Sequence, residues 1–242
     1  MLGEQIEAMK RACFGVEPSE ADLERLGSRD RWLVYRELVR KRLQHVAGVA
    51  LSRTKEAVGG RAFESAFAEW LAGGGPKSRY LREVPVELAE HAIPAWERSE
   101  PAWVADLARF ELSEWRVRHA PSTPAPSESF AFDRRPHLRT TLEVLRLAHP
   151  VHRPRPPRGY DPEPTLLGVY RDSDHRPKTR ELNPLAADLL EAWQAGEETV
   201  TESVQRVAAA HETDVSPAFI EKLSALIADF LAGHSPPPNP SK

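Results

Sequence analysis

The chain has 242 residues, about one and a half times the ~150 that make a soft prior for one domain, so one large or two modest domains are expected. It is 40% hydrophobic and 29% charged, with 33 basic against 36 acidic side chains, which excludes a disordered polyelectrolyte and a membrane protein. Proline is the outlier, with 22 against 13 glycines, ten of them between Pro121 and Pro164 and four in the last seven positions. The start, MLGEQIEAMKRA, lacks the apolar core of a signal peptide, and no run approaches a membrane span. A cytoplasmic protein is therefore expected. The single cysteine, Cys13, allows no intrachain disulfide or paired-cysteine metal motif and reads as a small buried hydrophobe.

Residues 1–120 read as an all-α domain. Ser19 with Asp22 caps a short helix. Asp30 is placed as the cap of a long one whose apolar positions Trp32, Tyr35, Val39, Leu43, Val46 and Ala50 recur at helical spacing and are expected to face a core. Phe63, Phe67, Trp70 and Leu71 mark a third helix, ended by Gly73-Gly74-Gly75-Pro76. Another runs from Pro85 to Trp96, and Pro101 is placed in the first turn of a helix carrying Val104, Leu107, Phe110 and Trp115.

Residues 121–138 are a Pro-rich linker, and residues 139–234 a second domain. A strand is expected within Thr140–Leu147. A hairpin follows, formed by Thr165–Arg171 and Lys178–Leu182 around the turn-rich Asp172–Pro177, which reads as a wing-like loop. Three helices then have clear starts: Asn183-Pro184, ending at Gly196; the T-x-x-E capping box of Thr199 and Glu202; and Ser216-Pro217, opening a stripe of Phe219, Leu223, Leu226, Ile227 and Phe230. The fold class is mainly α, with an all-α N-terminal domain and a C-terminal α+β winged-helix-like domain. Residues 235–242 are expected to be a disordered tail.

No nucleophile elbow, phosphate-binding loop, dinucleotide fingerprint or HExxH helix occurs. His149 and His152 are separated by Pro150, so no helical face presents both to a metal. Asp106, Glu111 and Glu114 lie on one expected helix with Arg109, Arg116 and Arg118 interspersed; paired carboxylates can do acid–base work, but a solvated helix face with local ion pairs is the preferred reading. No catalytic residue, metal site or cofactor is assigned to this chain. The arginines 134, 135, 139, 146, 153, 155 and 158 are a candidate polyanion contact. Against this, residues 165–242 hold 7 basic and 12 acidic side chains, a net charge of −5, and the last helix lacks the basic face of a DNA-reading element. The unpaired edge expected at Lys178–Leu182, beside an apolar helix face, suits an extended peptide instead. Its binding residues would be Lys178, Thr179, Arg180, Leu182, Phe219, Leu223 and Leu226.

Two stretches resemble known families. Tyr35-Arg36 with Arg42-Leu43, Trp70-Leu71 and the Asp106-Leu-Ala-Arg109-Phe-Glu111 element resemble the N-terminal domain of the HvfC/BufC-type peptide-modification chaperones, a domain customarily labelled DNA-binding. Here the Phe-Pro pair of that family is replaced by Ala50-Leu51. Leu182-Asn-Pro-Leu-Ala-Ala-Asp-Leu-Leu190 with Gly196 and Thr199–Glu202 resembles the PqqD-like element that binds leader peptides. The resemblance implies a non-catalytic partner of a TIM-barrel multinuclear non-haem iron oxidase, with the iron in the oxidase and a Cys-containing precursor peptide as second partner. It makes Tyr35, Arg36, Arg42, Asp106, Arg109 and Glu111 either oxidase contacts or structural motif residues. The alternative is a DNA-binding transcriptional regulator, which the customary label and the arginine-rich linker favour.

Overall fold

The computed structural model describes residues 2–98, 101–121, 131–136, 138, 141–172 and 174–230, without the side chains of residues 2 and 225–229. The tail at 235–242 and residues 122–130 of the linker lie outside the described residues. Two compact units form: Met1–Leu112 with Pro154–Gly159, and Ser113–Arg153 with Tyr160–Lys242.

The first unit consists of α1 (Leu2–Phe14), α2 (Glu20–Leu26), α3 (Arg29–Ala50), α4 (Ser52–Val58), α5 (Gly60–Ala72), α6 (Val84–Trp96) and the first part of α7 (Trp103–His119). The Ser19 hydroxyl accepts the Asp22 N–H and caps α2. The Asp22 carboxylate takes two hydrogen bonds from the Arg11 guanidinium, at 3.0 and 2.7 Å, which tie α2 to α1. The same bonds, with help from Ser19, push the Asp22 carboxyl down to about 2.

The start of α3 departs from expectation. Ser28 occupies the N-cap position, and Asp30 lies in the first turn, where its charge complements the helix dipole without capping. Of the expected core stripe, Leu43 and Ala50 are buried, Trp32, Val39 and Val46 are half-buried, and Tyr35 is 48% exposed. The Trp32 indole N–H donates to the Leu26 carbonyl at 3.0 Å, and its ring meets that of the exposed Tyr35 edge-on at 5.3 Å. Pro101 also falls outside its helix: α7 begins at Trp103, and the Pro101 carbonyl accepts the Val104 N–H in the turn before it. The core is carried by Phe63, Leu71, Leu88 and Leu107, all at most 1% exposed.

In the second unit β1 (Glu143–Leu147), β2 (Thr165–Arg171) and β3 (Pro177–Glu181) form an antiparallel sheet in the order β1-β2-β3. Three helices follow: α8 (Pro184–Ala195), α9 (Val200–Ala210) and α10 (Pro217–Phe230). Asn183 caps α8 and Gly196 ends it in the left-handed conformation, at φ 65°. The reciprocal Thr199–Glu202 capping box opens α9. Further orphan N–H groups of α9 are met from the linker side, where the carbonyls of Arg134 and Phe132 accept from Val200 and Thr201, both at 3.0 Å. Thus the chain is mainly helical with a small three-stranded sheet in its C-terminal part, as its patterning predicts.

Leu189, Leu190, Trp193, Val204, Leu223 and Phe230 pack into one core against the sheet. The buried Trp193 indole donates to Ser203 Oγ at 2.8 Å. Gly168 in β2 is required by this packing: a Cβ there would stand 2.9 Å from Phe230 Cζ and 3.0 Å from its Cε1. The ring of Phe230 therefore lies on the bare backbone of β2, beside Tyr170 at 4.8 Å.

Candidate functional site

The open edge of the sheet is β3, because no strand among the described residues pairs with its outer side. Its phase follows from two hydrogen bonds at the ends of the hairpin, Leu182 N–H to Leu166 O at 2.8 Å and Asp172 N–H to Arg176 O at 3.0 Å. In an antiparallel pair, residues alternate between those that exchange both backbone bonds with the neighbour and those that point both groups away. With Gly168 opposite Arg180 and Tyr170 opposite Lys178, the inward residues are Lys178, Arg180 and Leu182. Thr179 and Glu181 turn their N–H and C=O outward. Pro177 turns a carbonyl outward but has no N–H to offer.

Side chains alternate in the same rhythm. Arg180 and Leu182 share the face of Gly168, which is the face packed by Phe230. Thr179 and Glu181 share the other. There the Glu181 carboxylate is held by Arg153 at 3.0 Å and by His152 Nε2 at 2.7 Å, and these contacts keep it below the usual carboxylate range.

Beside the Arg180/Leu182 face lies a groove of about 510 Å³, bordered by the end of β3, the first turn of α8 and the first turns of α10. Leu182, Leu185, Phe219 and Leu223 supply apolar lining, and Arg180, Lys222, Glu181 and Asp214 are its charged residues, two of each sign. Four of the seven residues expected to bind a peptide, namely Arg180, Leu182, Phe219 and Leu223, meet here. Leu223 is also core at 4% exposure, and Leu182 and Phe219 pack against that core. Lys178 does not border the groove; its ammonium lies 3.6 Å from Asp172. The Leu226 side chain lies outside the described residues.

Leu185, Asp214 and Lys222 were not anticipated. A signal for Leu185 was present, since Asn183-Pro184 starts a helix directly after the strand and so forces its first turn alongside the edge. The turn at 172–176 is short, with the Asp172 carboxylate accepting from Asp174 N–H at 3.0 Å and Arg176 N–H at 2.8 Å. Those backbone donors, the Arg176 amide foremost, hold the Asp172 carboxyl low.

The first-unit motif residues have different placements. The Arg36 guanidinium donates to the carbonyls of Ala12, Gly15 and Val16 at 2.7–2.8 Å, closing the C-terminal end of α1. Buried Glu111 accepts from Arg53 N–H, Thr54 N–H and Thr54 Oγ1 at 2.8, 2.8 and 2.7 Å. It acts as the cap of α4, which has leucine at its own N-cap position. Asp106 pairs with Arg109 at 3.2 Å, and Arg109 also meets Glu97. Tyr35 and Arg42 are exposed on α3. Asp106 and Glu111 are thus engaged in helix packing.

Three arginines of the seven-residue cluster are held in ion pairs. Arg146 binds Glu191 and Asp188, Arg153 binds Glu163 and Glu181, and Arg155 binds Glu56. Arg139 lies outside the described residues. Guanidinium groups already paired with carboxylates release fewer counterions on a polyanion. Among the described residues no three His, Cys, Asp or Glu side chains gather as a metal would need, and no helix is long and apolar enough to cross a membrane.

Residues 140–231 match the family model described as the HvfC C-terminal domain. The matched stretch begins just before β1, ends just after α10 and contains the whole groove. No curated protein matches the chain.

Proposed function

We propose that the second unit is the peptide-recognition module of a partner protein in peptide modification. It captures the leader of a ribosomally made precursor as a fourth strand on β3. The observation that carries this reading is the outward-facing backbone of Thr179 and Glu181 beside a groove with an apolar floor. Strand addition draws affinity from main-chain hydrogen bonds and specificity from alternate side chains entering pockets, and this site has both elements. The match to the HvfC C-terminal domain supports it, as does the likeness of Leu182–Leu190 to a PqqD-like, winged-helix-like recognition element. In this reading the chain is not the catalyst. A multinuclear iron oxidase modifies the cysteines of the bound peptide, and the first unit, with Tyr35 and Arg42 exposed on α3, is its docking partner.

The test is calorimetric titration of the full chain with the leader segment of the Cys-containing peptide encoded alongside it. Saturable binding that weakens about fivefold or more in Lys222→Glu and in Thr179→Pro is expected. Leu182→Asp is a poor probe, because Leu182 also packs against the core. Binding of equal strength in both variants, or no binding to the wild-type chain, overturns the reading.

A further inference from the structure

Single exposed apolar residues are ordinary on a protein surface, but those of α3 are not scattered. Leu43, Ala47 and Ala50 bury one side of this helix. On the opposite side Arg31, Tyr35, Leu38, Arg42, His45 and Val49 are all exposed and follow one another at steps of four, three, four, three and four residues. That is the spacing of a seam that meets a second helix. Val34, one turn before Leu38, widens it. Val34 and Leu38 are each 61% exposed, Val49 55% and Tyr35 48%, and the Trp32 ring standing edge-on against Tyr35 props up one end. At 1.5 Å per residue the seam runs for about 27 Å. An apolar row of this length suits helix-on-helix recognition, in which anchors at three- and four-residue steps are buried together.

The charges on and beside this face are Arg31, Lys41 and Arg42 against Asp30 and Glu37, three against two. The net charge of +1 is too small to hold a nucleic acid, so the pairing of each group decides the chemistry. Lys41 and Glu37 satisfy each other at 2.7 Å. Asp30 is at the N-terminal end of the helix, about 18 Å along the axis from Arg42. Arg42 itself makes no hydrogen bond or ion pair among the described residues, and it stands in the seam between Leu38 and Val49. A helix laid on the seam takes Arg42 out of water, and a desolvated cation without a counter-charge is costly. The incoming helix must therefore bring a carboxylate. A second copy of α3 does not bring one: two such helices crossing antiparallel about the middle of the Tyr35–Val49 stretch set Arg42 against Arg42, a like-charge contact.

We infer that the outward face of α3 docks a single amphipathic helix of another protein, one that sets aliphatic side chains on Leu38 and Val49 and, between them, an aspartate or glutamate on Arg42. This deepens the docking role proposed for the first unit, on which it rests, and is independent of the β3 edge.

The full chain, immobilised, is used to select from an mRNA-displayed library of helix-forming three-heptad peptides with randomised seam positions, and its binding to the iron oxidase encoded alongside it is followed in parallel. Enriched peptides should carry an acid at one seam position with aliphatic residues on both sides of it. The peptides and the oxidase should both bind Leu38→Asp about tenfold or more weakly than the wild-type chain, with thermal unfolding unchanged because Leu38 is exposed. Selection on Arg42→Glu should turn the acid into lysine or arginine. Oxidase binding that Leu38→Asp and Arg42→Glu leave intact overturns the inference and leaves the docking role standing; no binding to the oxidase overturns the docking role and the inference with it. Enrichment no greater than on empty beads, or enriched peptides without the acid, overturns the inference alone. So does a dimer of the chain by itself, seen in sedimentation and abolished by Leu38→Asp, which would assign the face to a second copy.

Discussion

Replacing Thr179 by proline tests the orientation of β3 with one substitution. The Thr179 N–H faces away from β2, so the ladder from Asp172–Arg176 to Leu182–Leu166 keeps every bond. Proline is tolerated on an edge strand in this position, and stability should change by no more than about 1 kcal/mol. An added strand, by contrast, loses a donor and meets a pyrrolidine ring where it must approach to about 4.8 Å. One carbonyl left unsatisfied costs about 1–3 kcal/mol, which corresponds to roughly 5- to 150-fold in Kd. Arg180→Pro is the matched contrast, because its N–H belongs to the ladder opposite Gly168 and its loss strands a β2 carbonyl, at a cost of about 1–3 kcal/mol of stability. Thermal unfolding by circular dichroism and fluorescence polarisation with a labelled leader peptide read the two quantities separately. Equal destabilisation by the two prolines would show the assigned phase to be wrong, and undiminished binding by Thr179→Pro would refute strand addition.

Three further outcomes follow from the packing. Glu111→Ala strands the buried Thr54 donors and uncaps α4, so urea denaturation should show a loss of about 3 kcal/mol. Asp22 has its carboxyl depressed in the folded chain to about 2. The Arg11–Asp22 contribution is therefore complete above the unfolded carboxyl's pKa, near pH 4, and is lost as pH falls to about 2; Asp22→Asn should flatten the stability profile across that window, and an unchanged profile contradicts the assignment. Gly168→Ala drives a methyl into the Phe230 ring and should cost about 1–3 kcal/mol. Combined with Phe230→Leu its penalty should shrink, whereas strict additivity in thermal melts would show that the two sites do not touch.

What could be read from the sequence was local. The Ser19 cap, the Asn183-Pro184 start, the Gly196 stop and the Thr199–Glu202 box each need only residues within one turn, and the structure has all four. The hairpin was equally accessible, because β-branched Thr165–Arg171 and the Asp172 turn are contiguous signals. The α4 helix was not, since its cap arrives from Glu111, 57 residues from Thr54. Nor was the fate of the arginines: Arg146, Arg153 and Arg155 look like a basic patch in one dimension and become ion-pair partners only once Glu191, Glu181 and Glu56 are brought to them. At the groove, the apolar floor could be anticipated from the α10 stripe. The phase of β3 could not, because Lys178, Thr179, Arg180 and Glu181 are all polar and carry no alternation to distinguish the two faces.

Residue-resolved amide hydrogen exchange on the full chain, free and saturated with a leader peptide, tests the central claim most directly. Lys178, Arg180 and Leu182 should be protected in both states, since their amides face β2. Thr179 and Glu181 should exchange rapidly in the free chain and become protected in the complex. Rapid exchange at Thr179 and Glu181 in the saturated complex would contradict the claim that this edge receives the peptide.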